Sequence, residues 1–147
     1  MTTYYAEGSP STDLADGDLR AALAQAFEKL GPRSKVLALP PDFTRFYSMA
    51  GPLTCMAYEH YGDRQVDVMP ALGTHVPMTA DQLDRMFPSL PKTLIRDHDW
   101  RRDVVTIGEV PGEYVAEVTG GISQKPWPAQ LNRLLWEGGH DLILSIG

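Results

Sequence analysis

Apolar positions recur at helical spacing near the start of the chain and in short runs further on. Between Asp18 and Gly31 the apolar residues fall at helical spacing, with aspartates before the first turn and a glycine at the end. The residues that form this stripe are Leu19, Leu23, Ala26, Phe27 and Leu30. The pattern predicts an amphipathic helix here.

Two short apolar runs bounded by turn residues predict buried strands. These runs are residues 35–39, which two prolines follow, and residues 66–72, which a glycine follows. Between them, residues 52–61 are predicted to form a helix. Beyond the second run, Thr79 and Gln82 have the spacing of a capping box, which predicts the start of another short helix.

The second half of the chain gives weaker signals. Residues 92–95 could form a strand, and residues 104–110 alternate as a half-buried strand does. Residues 114–118 alternate again after a Pro-Gly turn, which makes a hairpin plausible. We expect a helix over residues 128–136 and a further strand over residues 141–146.

Alternating strands and helices predict a Rossmann-like α/β fold. Such a fold has a mostly parallel sheet with helices on both faces, here with the hairpin as a possible addition. The polar residues 1–16 are predicted to be a flexible arm, because they cannot bury enough apolar surface. Residues 17–147 form the predicted domain. It is expected to be incomplete at its C-terminal end, because Gly147 directly follows an apolar strand.

Composition narrows the classes of partner. The chain has a net charge of -6 and no basic block, which argues against nucleic acid. No segment approaches the roughly 20 apolar residues of a membrane span, and the start lacks a signal peptide. Cys55 is the single cysteine, so no internal disulfide is possible. We therefore expect a cytoplasmic protein that does not bind membranes.

The loop after the first strand holds the first candidate functional group. Asp42-Phe-Thr-Arg45 places a carboxylate, a hydroxyl and a guanidinium within four residues. The Arg45 guanidinium can bind a planar carboxylate through two parallel hydrogen bonds. An alternative of about equal weight is that Asp42 caps the following helix and Arg45 only pairs with it.

The loop after the second strand holds the second candidate. Gly73 permits close backbone approach, and Pro77 stiffens the exit of a short loop that carries His75. A histidine can take and return a proton near neutral pH. From the residues alone, a solvent-exposed histidine without a role is the somewhat more frequent outcome. Because the carboxyl ends of parallel strands meet at one edge of a sheet, both loops are expected to lie close together.

Together the two loops resemble the N-terminal domain of the nickel-dependent lactate racemase family. The matching segments are Asp42-Phe-Thr-Arg45 and Gly73-Thr-His-Val-Pro77, and the resemblance extends from Lys35 to Gly147. The segments PPDFTRF and ALGTHVPMT are most similar in sequence to the branch of the family that acts on sugar acids such as D-mannonate. The resemblance implies racemisation or epimerisation of a 2-hydroxy acid by proton-coupled hydride transfer to a nickel pincer nucleotide.

The resemblance also implies roles for individual residues. His75 is the expected catalytic base, and Arg45 and Thr74 are the expected substrate-binding residues. The expected contacts to the nucleotide come from Asp42, Thr44, Arg45 and Gly73. No metal ligand is assigned, because the family's cofactor-bearing lysine, nickel-binding histidine and second base fall after the position that matches Gly147.

The expected partners are a small 2-hydroxy acid and the C-terminal portion of the same enzyme. As an isomerase the chain is expected to be inactive alone, because it lacks the hydride acceptor. The alternative is a stand-alone module that binds a carboxylate or nucleotide without catalysis. A further possibility is a folded remnant without an independent role.

The remaining conspicuous side chains are expected to be structural. His60 and His140 have no companion at metal-binding spacing, and Trp127, Trp136 and Cys55 are expected in the core. His98 could line the cleft, but a surface turn is about twice as frequent for such a residue.

Overall fold

The computed structural model describes residues 2–147, and Met1 of the predicted arm lies outside them. The described chain forms two compact units. One consists of residues 2–97 and 140–147, and the other of residues 98–139. In the first unit, residues 2–15 contain no helix or strand, and the Tyr4 carbonyl accepts a hydrogen bond from the Lys29 ammonium at 2.8 Å.

The first predicted helix is confirmed as α1, Asp16–Leu30. Two aspartates occupy its first turn, where acidic side chains favour the positive end of the helix dipole. It ends at Gly31, whose φ of 75° is a conformation that glycine adopts at little cost. Phe27 is its buried anchor, which contacts the Tyr61 ring with centroids 4.9 Å apart.

A three-stranded parallel sheet forms the centre of the first unit. Its strands are β1, Val36–Leu39, β2, Gln65–Val68, and β5, Leu142–Ser145, in the spatial order β2-β1-β5. Both outer strands run parallel to β1. Together with the helices that flank it, this sheet confirms the predicted Rossmann-like α/β fold.

Two further helices build the core against this sheet. The predicted helix over residues 52–61 is α2, Ala50–Tyr61, and the capping box begins α3, Ala80–Met86. The larger core cluster joins side chains from the sheet, both helices and the segment after α3. Its buried members are Ala38, Ala50, Cys55, Val68, Met86, Phe87 and Leu90. The prediction that Cys55 is a small buried hydrophobe is therefore confirmed.

Parallel pairing continues past the ends of β1 and β2. The backbone N–H of Met69 donates to the Ala38 carbonyl at 2.9 Å, and that of Ala71 donates to the Pro40 carbonyl at 2.8 Å. Pro41 and Ala71 form a further parallel bridge. The segments that follow β1 and β2 therefore leave the sheet side by side, and this brings the two loops after them together.

The second unit contains the remaining strands and α-helices. These are β3, Val104–Val110, α4, Gly112–Val118, β4, Trp127–Asn132, and α5, Arg133–Glu137. An antiparallel pairing of β3 with β4 makes a two-stranded sheet. The predicted partner strand was wrong, because residues 114–118 lie in α4. An apolar segment this short fits both the two-residue period of a strand and the roughly 3.6-residue period of a helix.

Three other predictions in the second half of the sequence were wrong. Residues 128–132 belong to β4, so the predicted helix over 128–136 exists only from Arg133 to Glu137. Trp127 and Trp136 are 69% and 61% exposed rather than in the core. Residues 92–94 form a turn of 3-10 helix instead of a strand, and Ile95 contributes an isolated bridge to Val68.

Candidate functional site

Asp42 follows the two prolines after β1 and caps a 3-10 helix, Phe43–Ser48. One of its carboxylate oxygens, Oδ1, accepts hydrogen bonds from the Thr44 backbone N–H at 3.0 Å and from the Thr44 hydroxyl at 2.5 Å. An aspartate at this position satisfies a backbone donor that the helix leaves unpaired. The Asp42 residue is only 6% exposed, so its carboxylate is held in one orientation.

His75 reaches this carboxylate from the loop after β2. Gly73, at φ 57°, lets the chain turn, and the His75 backbone N–H closes the turn on the Leu72 carbonyl at 2.9 Å. The His75 Nδ1 atom lies 2.5 Å from the second Asp42 oxygen, Oδ2. The structure therefore brings Asp42, Thr44 and His75 together at one edge of the sheet.

The electrostatics of the pair follow from its contacts. Burial raises the pKa of Asp42, but hydrogen bonds from Thr44 and His75 lower it by more, so the net pKa lies below its usual value. Asp42 is thus ionised near neutral pH and accepts a hydrogen bond from the His75 Nδ1–H group. In a neutral ring that donates from Nδ1, the other ring nitrogen, Nε2, carries the lone pair. It has no partner among residues 2–147, and the His75 side chain is 57% exposed.

A cavity of about 420 Å³ opens beside the pair, within the first unit. Its lining is largely apolar, with hydroxyl, amide and imidazole groups placed at intervals. The lining residues are Asp42, Phe43, Thr44, His75, Val76, Pro77, Met78, Thr79 and Gln82. A volume of several hundred Å³ with a few polar groups is typical of small-molecule sites. No lysine or arginine of the described chain lines it.

The structure does not bring Arg45 into this cluster. Its backbone N–H donates to the Asp42 carbonyl at 3.0 Å, but its side chain is exposed and forms no hydrogen bond or ion pair within residues 2–147. The alternative in which Arg45 pairs with Asp42 is therefore not observed, whereas Asp42 does cap the following helix. Thr74 is also exposed and does not line the cavity.

Sequence reasoning missed the α3 side of the cavity. Gln82 and Thr79 line it as well as forming the capping box that was predicted. The signal was present, since the capping box fixes where α3 begins relative to the His75 loop. Nothing in the apolar spacing indicated that Thr79 and Gln82 would line a cavity.

A second charged cluster was also missed. The Asp67 carboxylate on β2 lies 2.7 Å from the Arg96 Nε and 2.8 Å from the His140 Nε2, and the His140 side chain is 1% exposed. The expected structural role of His140 agrees with this burial. His98 contacts Asn132 in the second unit at 2.9 Å.

In the part of the chain that the structure describes, side chains that could hold a metal ion are scattered. Across residues 2–147, no three His, Cys, Asp or Glu side chains lie close enough to share a metal ion. Both Asp42 oxygens are already engaged, by Thr44 and His75.

Within residues 2–147, no helix combines the length and apolar character needed to cross a membrane.

Comparison with known proteins supports the fold. No protein-family model and no curated protein matches the chain. A crystal structure of a Thermotoga maritima protein from the Northeast Structural Genomics Consortium is similar, with a TM-score of 0.77 and 25% sequence identity. The match covers 96% of this chain and 34% of that protein, so the chain spans about a third of its length.

Proposed function

We propose that this chain supplies an acid–base residue, His75, for the racemisation or epimerisation of a 2-hydroxy acid in a lactate racemase-like isomerase. The observation that carries the proposal is the 2.5 Å contact between His75 Nδ1 and the buried Asp42 carboxylate. That contact turns the unpartnered Nε2 into the available base. A carboxylate that orients a histidine in this way is a recurring arrangement in proton-transfer sites.

The chemistry requires such a base. When C2 gives up its hydrogen with two electrons, the hydroxyl O–H bond must also break, or the new carbonyl would carry a positive charge. His75 Nε2 takes that proton and returns it when the hydrogen comes back on the other face. Asp42 stabilises the imidazolium that forms in between. Thr44, which fixes Asp42, supports the geometry without touching the reacting atoms.

The proposed hydride acceptor is a nickel pincer nucleotide, on the strength of the resemblance of the two loops. The described residues alone do not fit a nickel ion, because no three potential ligands are grouped. Asp42 offers the nucleotide no free oxygen. Gly73 is exposed with no atom within 4 Å of the position of a Cβ, so its backbone is open to a ligand on that side.

Arg45 and Thr74 are proposed to contact the substrate from outside the cavity. Arg45 is exposed and without an ion-pair partner in residues 2–147, so its guanidinium can bind a carboxylate at no cost in broken contacts. Because no lysine or arginine of the described chain lines the cavity, we propose that the substrate carboxylate binds Arg45 outside it while the rest of the substrate lies inside.

We further propose that the chain works in the cytoplasm with a C-terminal portion of the same enzyme. The single cysteine fits a reducing compartment, and the chain covers only 34% of the similar Thermotoga maritima protein. The proposed C-terminal portion would supply the nickel ligands and the second base.

The test is the natural polypeptide that carries these residues, with His75 intact or replaced by glutamine. Extracts of cells expressing each form are supplied with single stereoisomers of a panel of 2-hydroxy acids, and C2 inversion is followed by chiral chromatography. We expect inversion of at least one acid, reduced at least about 100-fold by His75→Gln. His60→Gln, an exposed histidine on α2, is the matched control and should leave the rate unchanged.

Unchanged inversion in His75→Gln would overturn the proposal, and so would an absence of inversion for every acid in the panel. If purified chain instead bound a carboxylate or nucleotide tightly without any turnover in the natural polypeptide, the non-catalytic binding module would be the better account.

A further inference from the structure

A second cavity, of about 410 Å³, lies in the first unit and shares no lining residue with the His75 cavity. Its walls come from α1, α2, α3, the segment after α3 and the 3-10 helix Phe43–Ser48, and they are largely apolar. The apolar lining consists of Phe46, Tyr47, Met49, Pro52, Cys55, Met56, Met86 and Pro88. This volume is typical of small-molecule sites, and flexible methionine side chains adapt readily to the shape of a ligand.

The wall formed by Tyr47 and Met49 has two features that folding alone does not favour. The Tyr47 residue is 93% exposed, and Met49 has a φ of 64°, the left-handed conformation. Among residues 2–147, Met49 is the sole residue other than glycine with a positive φ. Strained backbone and exposed apolar side chains are concentrated at binding sites. Both features therefore indicate that this cavity has a ligand.

Arg85 supplies an available guanidinium at the same cavity. Its Cζ atom lies over the rings of Phe43 and Phe46, 5.0 Å and 5.4 Å from their centroids. The nearest acid, Asp81, is 3.9 Å away, and the Arg85 side chain donates no hydrogen bond within residues 2–147. Stacking on two rings restricts the orientation of the guanidinium but leaves its N–H groups available. A planar carboxylate is the anion that such a fork of donors matches best.

The other charged groups of the lining are compensated. Arg20 forms an ion pair with Glu59. Asp16 stands in the first turn of α1, where the positive end of the helix dipole offsets its charge. Arg85 is therefore the lining charge that is most available to a ligand, and the ligand group that it attracts is negative.

We propose that this second cavity binds a small aromatic carboxylate, whose carboxylate group pairs with Arg85 and whose ring lies among the methionines. Methionine sulfur and the edges and faces of Phe46 and Tyr47 make favourable contacts with an aromatic ring. A rigid ring also loses less conformational entropy on binding than an alkyl chain of similar size. The site is independent of the proposed function, so either one can fail without the other.

The experiment uses the purified chain with ¹³C-labelled methionine methyl groups. Three of the six methionines, Met49, Met56 and Met86, line the second cavity, whereas Met78 lines the His75 cavity. The probes are phenylacetate, its neutral analogue phenylacetamide, and acetate, which lacks the ring. We expect phenylacetate to shift the three methionines of the second cavity but not Met78. Phenylacetamide should bind about tenfold more weakly, and acetate should shift none of the three at up to about 10 mM.

Two variants separate the charge from the ring contact. Arg85→Gln should weaken phenylacetate binding about tenfold and change phenylacetamide binding less than about twofold. Arg101→Gln is the matched control, since Arg101 is also exposed and lies 3.8 Å from the centroid of the Trp100 ring, and it should change neither affinity. Tyr47→Ala, at an exposed position where the fold is not disturbed, should weaken both probes alike.

The inference would be overturned by equal affinities for phenylacetate and phenylacetamide, or by unchanged phenylacetate binding in Arg85→Gln, because the charge would then have no part in binding. Phenylacetate that shifts only Met78, or no methionine at about 10 mM, would also overturn it. A loss in Arg85→Gln that Arg101→Gln does not reproduce would support it.

Discussion

Replacing Asp67 by alanine should destabilise the fold by about 1–4 kcal/mol. The Asp67 carboxylate accepts from His140 Nε2 at 2.8 Å and from Arg96 Nε at 2.7 Å. The His140 Nδ1 atom already has no hydrogen-bond partner, and its side chain is 1% exposed. Without Asp67, the His140 Nε2 atom also becomes a buried nitrogen without a partner, which costs about 1–3 kcal/mol. The Arg96 pair adds about 0–1 kcal/mol, because Arg96 is 42% exposed.

The measurement is equilibrium unfolding in urea, followed by circular dichroism. Asp84→Ala is the matched control, since Asp84 lies 3.1 Å from the Lys92 ammonium but its side chain is 69% exposed. We expect the control to lose less than about 0.5 kcal/mol. Asp67→Asn keeps one acceptor for His140 and should fall between Asp67→Ala and the unmodified protein. If Asp67→Ala loses no more free energy of unfolding than Asp84→Ala, the reasoning on buried unpaired nitrogens is wrong.

Two further predictions concern acid stability and helix packing. Asp141 accepts hydrogen bonds from two backbone N–H groups and the Ser34 hydroxyl, which lower its pKa to about 2. Because the pKa of Asp141 is lower in the folded state than its unfolded value near 4, ionised Asp141 stabilises the fold above pH 4. This stabilisation is lost as the pH falls towards 2. Asp141→Asn should therefore flatten the fall in unfolding free energy between pH 4 and 2, and an unchanged slope would contradict this. A Cβ at Gly51 would lie 2.4 Å from the Met86 carbonyl oxygen, so Gly51→Ala should cost about 1–3 kcal/mol in urea unfolding. Gly17→Ala, with open space around it, should instead stabilise α1 by up to about 1 kcal/mol, and equal effects of the two changes would refute the clash.

The parts of the fold that local pattern determines could be predicted from the sequence. The first helix and the strands of the parallel sheet follow from apolar periodicity and from glycine and proline at the boundaries. The capping box placed α3 correctly. Residues 114–118 could not be decided in this way, because a short segment with alternating apolar residues also presents them at helical spacing. The true partner of β3, which is β4, was missed because this pairing depends on contacts between residues distant in sequence.

The candidate site was predictable only in its location. The carboxyl ends of neighbouring parallel strands meet, so Asp42 and His75 could be expected near each other. The role of each side chain depended on geometry that no spacing reveals. Asp42 faces His75 rather than Arg45, and the 3-10 helix that Asp42 caps leaves Arg45 exposed.

The most direct test of the central claim is the state of the His75 ring in the purified chain. Long-range ¹H–¹⁵N spectra identify which ring nitrogen carries the proton, before and after addition of L-lactate or of propionate, which lacks the hydroxyl. We predict the proton of neutral His75 on Nδ1, towards Asp42, and a shift of Nε2 with lactate that propionate does not cause. A proton on Nε2, or the same response to both acids, would contradict a His75 that is oriented by Asp42 to receive a hydroxyl proton.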